Sequence, residues 1–189
     1  MITTTPDCLT PDRFVPAPIP PGMRPTLFVV VDTEEEFDWH APLSRANTSV
    51  RAARHIDRLQ TVVSRYGVRP TYVVDYPIAS QPDGFEPFKE IADSGEAAIG
   101  AHLHPWVNPP YVDDPCGGRN SYGFRLGAAL EREMIRALKQ QIEDSFDAVP
   151  LVYKAGRYGF GPTTAETLES LDFAIDVSVN PRMDFTSDG

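Results

Sequence analysis

From Thr26 onward the sequence alternates short runs of β-branched and aromatic residues with longer stretches of helical periodicity, and this alternation constrains the fold more than any other feature. Strands separated by helices return to the same end of a sheet before each new strand begins. They therefore pair in parallel, and the class is α/β. Residues 26–32 (TLFVVVD) show no polar alternation and read as a strand buried on both faces. Residues 49–66 read as a helix with Ala52, Ile56, Leu59, Val63 and Tyr66 on one stripe, stopped by Gly67. PTYVVDYP supplies a second strand, residues 87–93 a short helix ended by Gly95, and EAAIGAH a third strand. A long loop rich in Pro, Gly and aromatic residues runs from Leu103 to about Gly127, a length that marks a functional or disordered segment. Residues 128–145 form the clearest helix, with Met134, Ile135, Leu138 and Ile142 inward. LVYKA is the fourth strand and GRYGFG a turn. Thr163 and Glu166 have the spacing of a capping box for a helix through Leu171, and FAIDVSV is the fifth strand.

The stretch before Thr26 differs in kind. Of the 19 prolines in 189 residues, seven fall in the first 25, so residues 1–25 read as an extended, flexible arm and residues 26–189 as one folded domain. A formal net charge of −10 leaves no basic surplus for nucleic acid or an anionic membrane. No apolar run approaches a membrane span, and the N-terminus has neither the basic start nor the apolar centre of a secretion signal, so the expected location is the cytoplasm. Cys8 and Cys116 have no CxxC spacing, which fits neither a disulfide framework nor a thiolate metal site.

In parallel α/β folds chemistry gathers at the C-terminal ends of the strands. Strand one ends in VVVDTEEEFDW, where Asp32 and Glu34 stand at i and i+2 and project to the same side, as one ligand and one base would. A solvated acidic turn is the competing reading for this segment, and it is the one given to Glu35, Glu36 and Asp38. Strand three ends in GAHLHPW, so His102 and His104 also share a side, with Leu103 turned into the packing. Two imidazoles and a carboxylate make the donor set of a catalytic zinc or iron site with open positions. His40 and His55 have no such partners and read as surface histidines. Strand four ends in YKAGRYGFG, where Lys154 and Arg157 bring positive charge to orient the Asp32 carboxylate. The glycines there offer close backbone approach, although a strand-to-helix turn of this kind needs no function, and GxxGxG is not a phosphate-loop spacing. Rings in the surrounding loops, Trp106 and Tyr158 among them, suit stacking on a saccharide face or packing of the loops themselves.

Taken together, DTE after strand one, IGAHLHPW at strand three, YKAGRYGFG at strand four and DFAIDVSV at strand five resemble the successive motifs of the polysaccharide deacetylases, in particular a WalW-like branch. The resemblance implies a deformed parallel (β/α) barrel that hydrolyses N-acetyl groups or related amides with one divalent metal ion, zinc by preference. By position it makes Asp32 the general base and Glu34, His102 and His104 the metal ligands. It places Arg157 and Lys154 where a cation holds the base, the Tyr158 backbone N–H near the oxyanion, and Asp176 in a motif that orients charged groups. One residue separates the histidines where three are commoner, Lys154 stands where the family usually has arginine, and no histidine follows His104 to match the general acid of the last motif.

Two further readings stand beside this one: an amidohydrolase-type barrel acting on a small amide, and a fragment that binds metal or saccharide without turnover. At roughly 31 residues per strand–helix unit, eight units would take ~250 residues. The expectation is therefore an incomplete barrel of about five units, with an open strand edge for a second copy or another partner to cover.

Overall fold

A computed structural model describes residues 18–111 and 120–180. Most of the proline-rich arm lies outside the described residues, as do Cys8 and Cys116. The chain divides into two units, and Val29–Val179 carries all of the secondary structure described below. In the other unit, residues 18–28 contain a turn closed by the Met23 N–H donating to the Pro20 carbonyl (3.1 Å).

The element order is β1 (Val30–Thr33), α1 (Ile56–Ser64, preceded by a 3-10 turn at Arg51–His55), β2 (Thr71–Val74), α2 (Tyr76–Ser80), α3 (Pro82–Asp93), β3 (Ala98–Leu103), α4 (Ala128–Phe146), β4 (Val152–Ala155), α5 (Thr164–Ser170) and β5 (Ile175–Asp176). All five strands are parallel and lie in sequence order, β1-β2-β3-β4-β5. That order, each new strand beside the last, is the path of a β/α barrel wall; the sheet does not close among the described residues. The expected parallel α/β architecture of about five units is therefore what the chain adopts.

The core lies between the sheet and α4. Met134, Ile135, Leu138 and Ile142 are fully buried against Tyr72, Val74, Ala101, Leu103 and Tyr153, so the inward stripe read from the 3.6-residue period is the one the helix uses. Register places His102 beside Lys154 on adjacent strands. A ligand candidate and a candidate cation thus share one row of the sheet.

Several local expectations are corrected. Strand one begins at Val30, not Thr26, and is not buried on both faces: Val30 and Val31 are half-buried and Asp32 is exposed, and among the described residues β1 is an edge strand paired with β2. The buried stripe of the first helical segment runs through Ala53 and Gln60, with Ile56 and Val63 half-buried; Ala52, Leu59 and Tyr66 face outward. Gln60 is drawn inward by the Tyr72 hydroxyl, which donates to its Oε1 at 2.7 Å. The short helix at residues 87–93 is the second half of α3, and the fifth strand pairs only over Ile175–Asp176. Thr163 makes no capping bond. Thr164 instead accepts from the Gly161 N–H (2.9 Å) and donates to the buried Glu131 carboxylate (2.8 Å), which ties α5 to α4.

Candidate metal centre

The pleat of β1 continues past its last paired residue and sorts the acidic run DTEEE into two sets. Asp32 and Glu34 turn to one side and keep solvent access, while Thr33 and Glu35 turn to the other and are buried. On the first side, Glu34 Oε2 lies 3.2 Å from His102 Nε2 and 3.3 Å from His104 Nε2. The other nitrogen of each ring is already engaged. His102 Nδ1 is 3.1 Å from the Lys154 carbonyl, and His104 Nδ1 is 2.7 Å from Glu35 Oε2. A carbonyl and a carboxylate only accept, so these partners assign the ring protons to Nδ1 and leave both Nε2 atoms as bare lone pairs.

Three acceptors, two Nε2 atoms and a carboxylate oxygen, therefore face one another with no donor among them. Such a set is stable only around a cation. A proton on the buried ring is the weaker candidate, because burial pushes His104 below the usual imidazole range despite the pull of Asp75, Glu34 and Asp32. A metal ion fits better. Ligand atoms bonded to tetrahedral zinc at 2.0–2.1 Å are about 3.3 Å apart, the spacing that Glu34 Oε2 keeps from both rings. Burial pushes the Glu34 carboxyl up, but the hydrogen bond from His102 and the charges of His104 and His102, which act only when those rings are protonated, together with the Lys154 charge outweigh this and hold it below the ordinary range. Glu34, His102 and His104 can thus hold a metal ion.

Asp32 lies at the rim of this group. Its Oδ2 accepts from Lys154 Nζ at 2.5 Å, and the ammonium also lies 5.1 Å from the centre of the Tyr158 ring. Lys154, the neighbour of His102 in register, is thus the cation that reaches the aspartate. Arg157 goes elsewhere: it donates to Ser121 Oγ (2.7 Å) and stacks over Tyr122 at 4.3 Å. The cause is the backbone of the turn after β4, where both Arg157 and Tyr158 adopt positive φ, 54° and 57°. Tyr158 remains 39% exposed. Asp176 accepts from the backbone N–H and hydroxyl of Ser178, whose Oγ in turn accepts from the Ala155 N–H (2.7 Å); burial raises its carboxyl above the ordinary range against those bonds. It shapes the end of β4 from behind.

Gly156 opens the same turn and is placed by contact. A Cβ there would come 2.3 Å from the Leu103 carbonyl and 2.7 Å from His104 Cδ2, so only the absence of a side chain lets the turn lie against the imidazole.

The expectation for Trp106 is corrected by its burial. It has no exposed surface, stacks on His104 with ring centres 4.2 Å apart, and donates its Nε1–H to Glu35 Oε1 at 2.6 Å. It supports the ring from beneath and has no face for a ligand. Glu35, read as a solvated charge, is 2% exposed. Burial pushes its carboxyl up to about 6 against the interactions with Asp75 and the Trp106 N–H. Asp75, at the end of β2, is also buried; its Oδ2 accepts from the Glu35 backbone N–H (2.8 Å) and its Oδ1 from the Ile78 N–H at the start of α2 (2.9 Å). The sequence places Glu35 among the solvated charges and does not single out Asp75. The alternation that pairs Asp32 with Glu34 also sends Glu35 to the opposite side, and Asp75 ends a strand as Asp32 does; those were the available signals.

No known family model matches the chain. Among curated proteins it is 25% identical over 162 residues to an ATP-dependent 6-phosphofructokinase of Arabidopsis thaliana, covering 85% of this chain and 35% of that one. Among solved structures it resembles a candidate polysaccharide deacetylase from Mycobacterium smegmatis, with a TM-score of 0.50, 21% identity and coverage of 64% of this chain and 36% of that one. It also resembles a CE4 family pseudoenzyme from Bacillus anthracis (TM-score 0.50, 12% identity, 81% and 44% covered). A third likeness is to the BpsB deacetylase domain from Bordetella bronchiseptica (TM-score 0.51, 12% identity, 80% and 64% covered). The chain spans about a third of the length of the kinase and of the mycobacterial protein. No helix among the described residues is long and apolar enough to cross a membrane. What the chain shares with the polysaccharide deacetylases is their fold, and on the ends of its first, third and fourth strands that fold gathers Asp32, Glu34, His102, His104 and Lys154.

Proposed function

We propose that the chain acts as a metal-dependent hydrolase of non-peptide carbon–nitrogen bonds, removing the acetyl group from an N-acetylated saccharide. The observation that carries this reading is the convergence of Glu34 Oε2 with two bare imidazole nitrogens beside the Asp32–Lys154 pair. A pseudoenzyme among the structures of similar fold means that fold alone does not carry activity.

Glu34, His102 and His104 would hold one divalent ion, zinc by its preference for imidazole and carboxylate donors. When bound, such an ion polarises the acyl carbonyl and lowers the pKa of a water molecule. Asp32 accepts the proton of the attacking water. Lys154 Nζ holds Asp32 Oδ2 and so leaves Oδ1 to take that proton. The backbone N–H of Tyr158 supports the developing oxyanion, and the half-exposed ring of the same residue offers a face to the sugar. Arg157 braces the wall formed by Ser121 and Tyr122, and Asp176 fixes the strand end from which Lys154 projects.

The test is acetate release from N-acetylglucosamine oligomers by the zinc-loaded chain, with metal content read by mass spectrometry. Wild type should turn over. Asp32→Asn should lose about 10²–10⁴ in rate while keeping its metal, and His102→Ala should lose the metal. Equal rates for wild type and Asp32→Asn would remove Asp32 from the mechanism, and stoichiometric metal in His102→Ala would refute the centre.

A further inference from the structure

His104 has two faces, and the metal reading uses one of them. The other is enclosed by Glu35, Asp75 and Trp106, all buried. Glu35 has one donor for each carboxylate oxygen: Trp106 Nε1–H on Oε1 at 2.6 Å and the His104 ring on Oε2 at 2.7 Å. Its main chain is pinned as well, since its N–H donates to Asp75 Oδ2 at 2.8 Å while Asp75 Oδ1 is held by the Ile78 N–H. Phe37 closes the group edge-on, with ring centres 5.7 Å from His104 and 5.8 Å from Trp106. Glu35 therefore cannot rotate without breaking two buried hydrogen bonds.

We infer that Glu35 is the positioning residue of the centre: through its bond to Nδ1 it fixes the His104 tautomer and ring plane, so that Nε2 is presented as a lone pair beside Glu34. This rests on the metal reading of Glu34, His102 and His104. Trp106 sets which oxygen of Glu35 faces the ring, and Asp75 sets where the Glu35 backbone lies. The same three groups, Glu35, Asp75 and His104, are close enough to be taken for a second metal site. The donors argue otherwise. Both oxygens of Glu35 and both of Asp75 already receive an N–H or ring nitrogen, and all three residues are buried.

The arrangement makes a specific forecast for an isosteric change. In Glu35→Gln one end of the side chain becomes a donor. If the amide oxygen turns to His104, its NH2 opposes the Trp106 N–H; if it turns to Trp106, the NH2 faces Nδ1 and the ring proton moves to Nε2, which then points into the centre. Either outcome weakens the metal site, by about 10–100-fold in affinity as for other groups that orient a ligand. Replacing Trp106 by Phe removes the opposing N–H, so the double variant Glu35→Gln/Trp106→Phe can turn its amide oxygen to His104 and should regain most of the affinity. A purely structural role predicts the opposite, since removing a second buried bond would add to the damage.

The experiment is ¹⁵N NMR of the His104 ring in the metal-free chain, with zinc and cobalt affinity measured by competition against a chromophoric chelator. Wild type should show the proton on Nδ1 and take up one ion per chain. Glu35→Gln should lose affinity and the double variant recover it. A ring proton on Nε2 in the wild type, unchanged affinity in Glu35→Gln, a double variant weaker than the single, or two ions with the second lost in Glu35→Gln would each overturn the assignment. The wild-type tautomer decides the matter even if the variants do not fold. Proton on Nδ1 with no metal uptake would support the role of Glu35 on the ring and refute the metal reading alone.

Discussion

Glu34 and Glu35 are adjacent carboxylates on one strand end, and the pleat gives them opposite surroundings. Glu34 keeps 29% of its side-chain surface and faces two ring nitrogens with no proton to give. Glu35 has no side-chain exposure and receives one donor on each oxygen. The difference separates two uses of a carboxylate. The paired, dry one contributes to stability, because removing it strands buried donors. The one surrounded by acceptors contributes little to the metal-free fold, and its surroundings suit a bound cation.

That contrast can be tested without a substrate. The largest effect belongs to Glu35→Ala, which leaves the His104 Nδ1–H and Trp106 Nε1–H buried without acceptors and should lower the unfolding free energy of the metal-free chain by about 3 kcal/mol in urea titration. Asp75→Ala should come next, at about 2 kcal/mol, since the Glu35 and Ile78 N–H groups lose their acceptor. Equal costs for Glu34→Ala and Glu35→Ala would erase the distinction.

Glu131 is an intermediate case. It is fully buried, Thr164 donates to Oε1, and Oε2 has no hydrogen-bond partner. Burial raises its carboxyl above 4.5 against the Thr164 bond. Below its unfolded value both states are protonated and nothing is lost. As pH rises through the window between the unfolded and folded values, the unfolded chain releases its proton first, and stability falls. Glu131→Gln keeps an acceptor for Thr164 and removes the charge, so it should stabilise the chain by about 1 kcal/mol at pH 7, a gain that shrinks towards pH 4. Thermal unfolding at the two pH values checks the sign. The smallest effect is Glu34→Ala, within about 0.5 kcal/mol of wild type without metal but devoid of metal uptake by the chelator assay.

Much of the centre was legible because strand periodicity is local. Asp32 with Glu34, and His102 with His104, follow from an i, i+2 spacing at strand ends, and the structure brings all four together with Lys154. What escaped depends on other strands. Glu35 looks solvated until His104 and Trp106 arrive from the chain just after β3, some seventy positions away, to bury it. Trp106 looks like a ligand platform until the chain after His104 folds it beneath the ring. Arg157 sits at the right distance in sequence to reach Asp32, but two consecutive positive-φ residues turn it towards Ser121. The first strand read as doubly buried because its residues are apolar; burial on both faces requires packing above and below the sheet, and among the described residues Val30 and Val31 are only half covered.

The position of Gly156 is equivalent to a gauge held against the candidate metal centre. Any side chain there would push the Leu103 carbonyl and the His104 ring, the first by backbone contact that no rotamer can relieve. Codon randomisation at this position, followed by selection for metal retention, should return glycine and nothing else, and so would detect the centre through a residue that donates no atom to it.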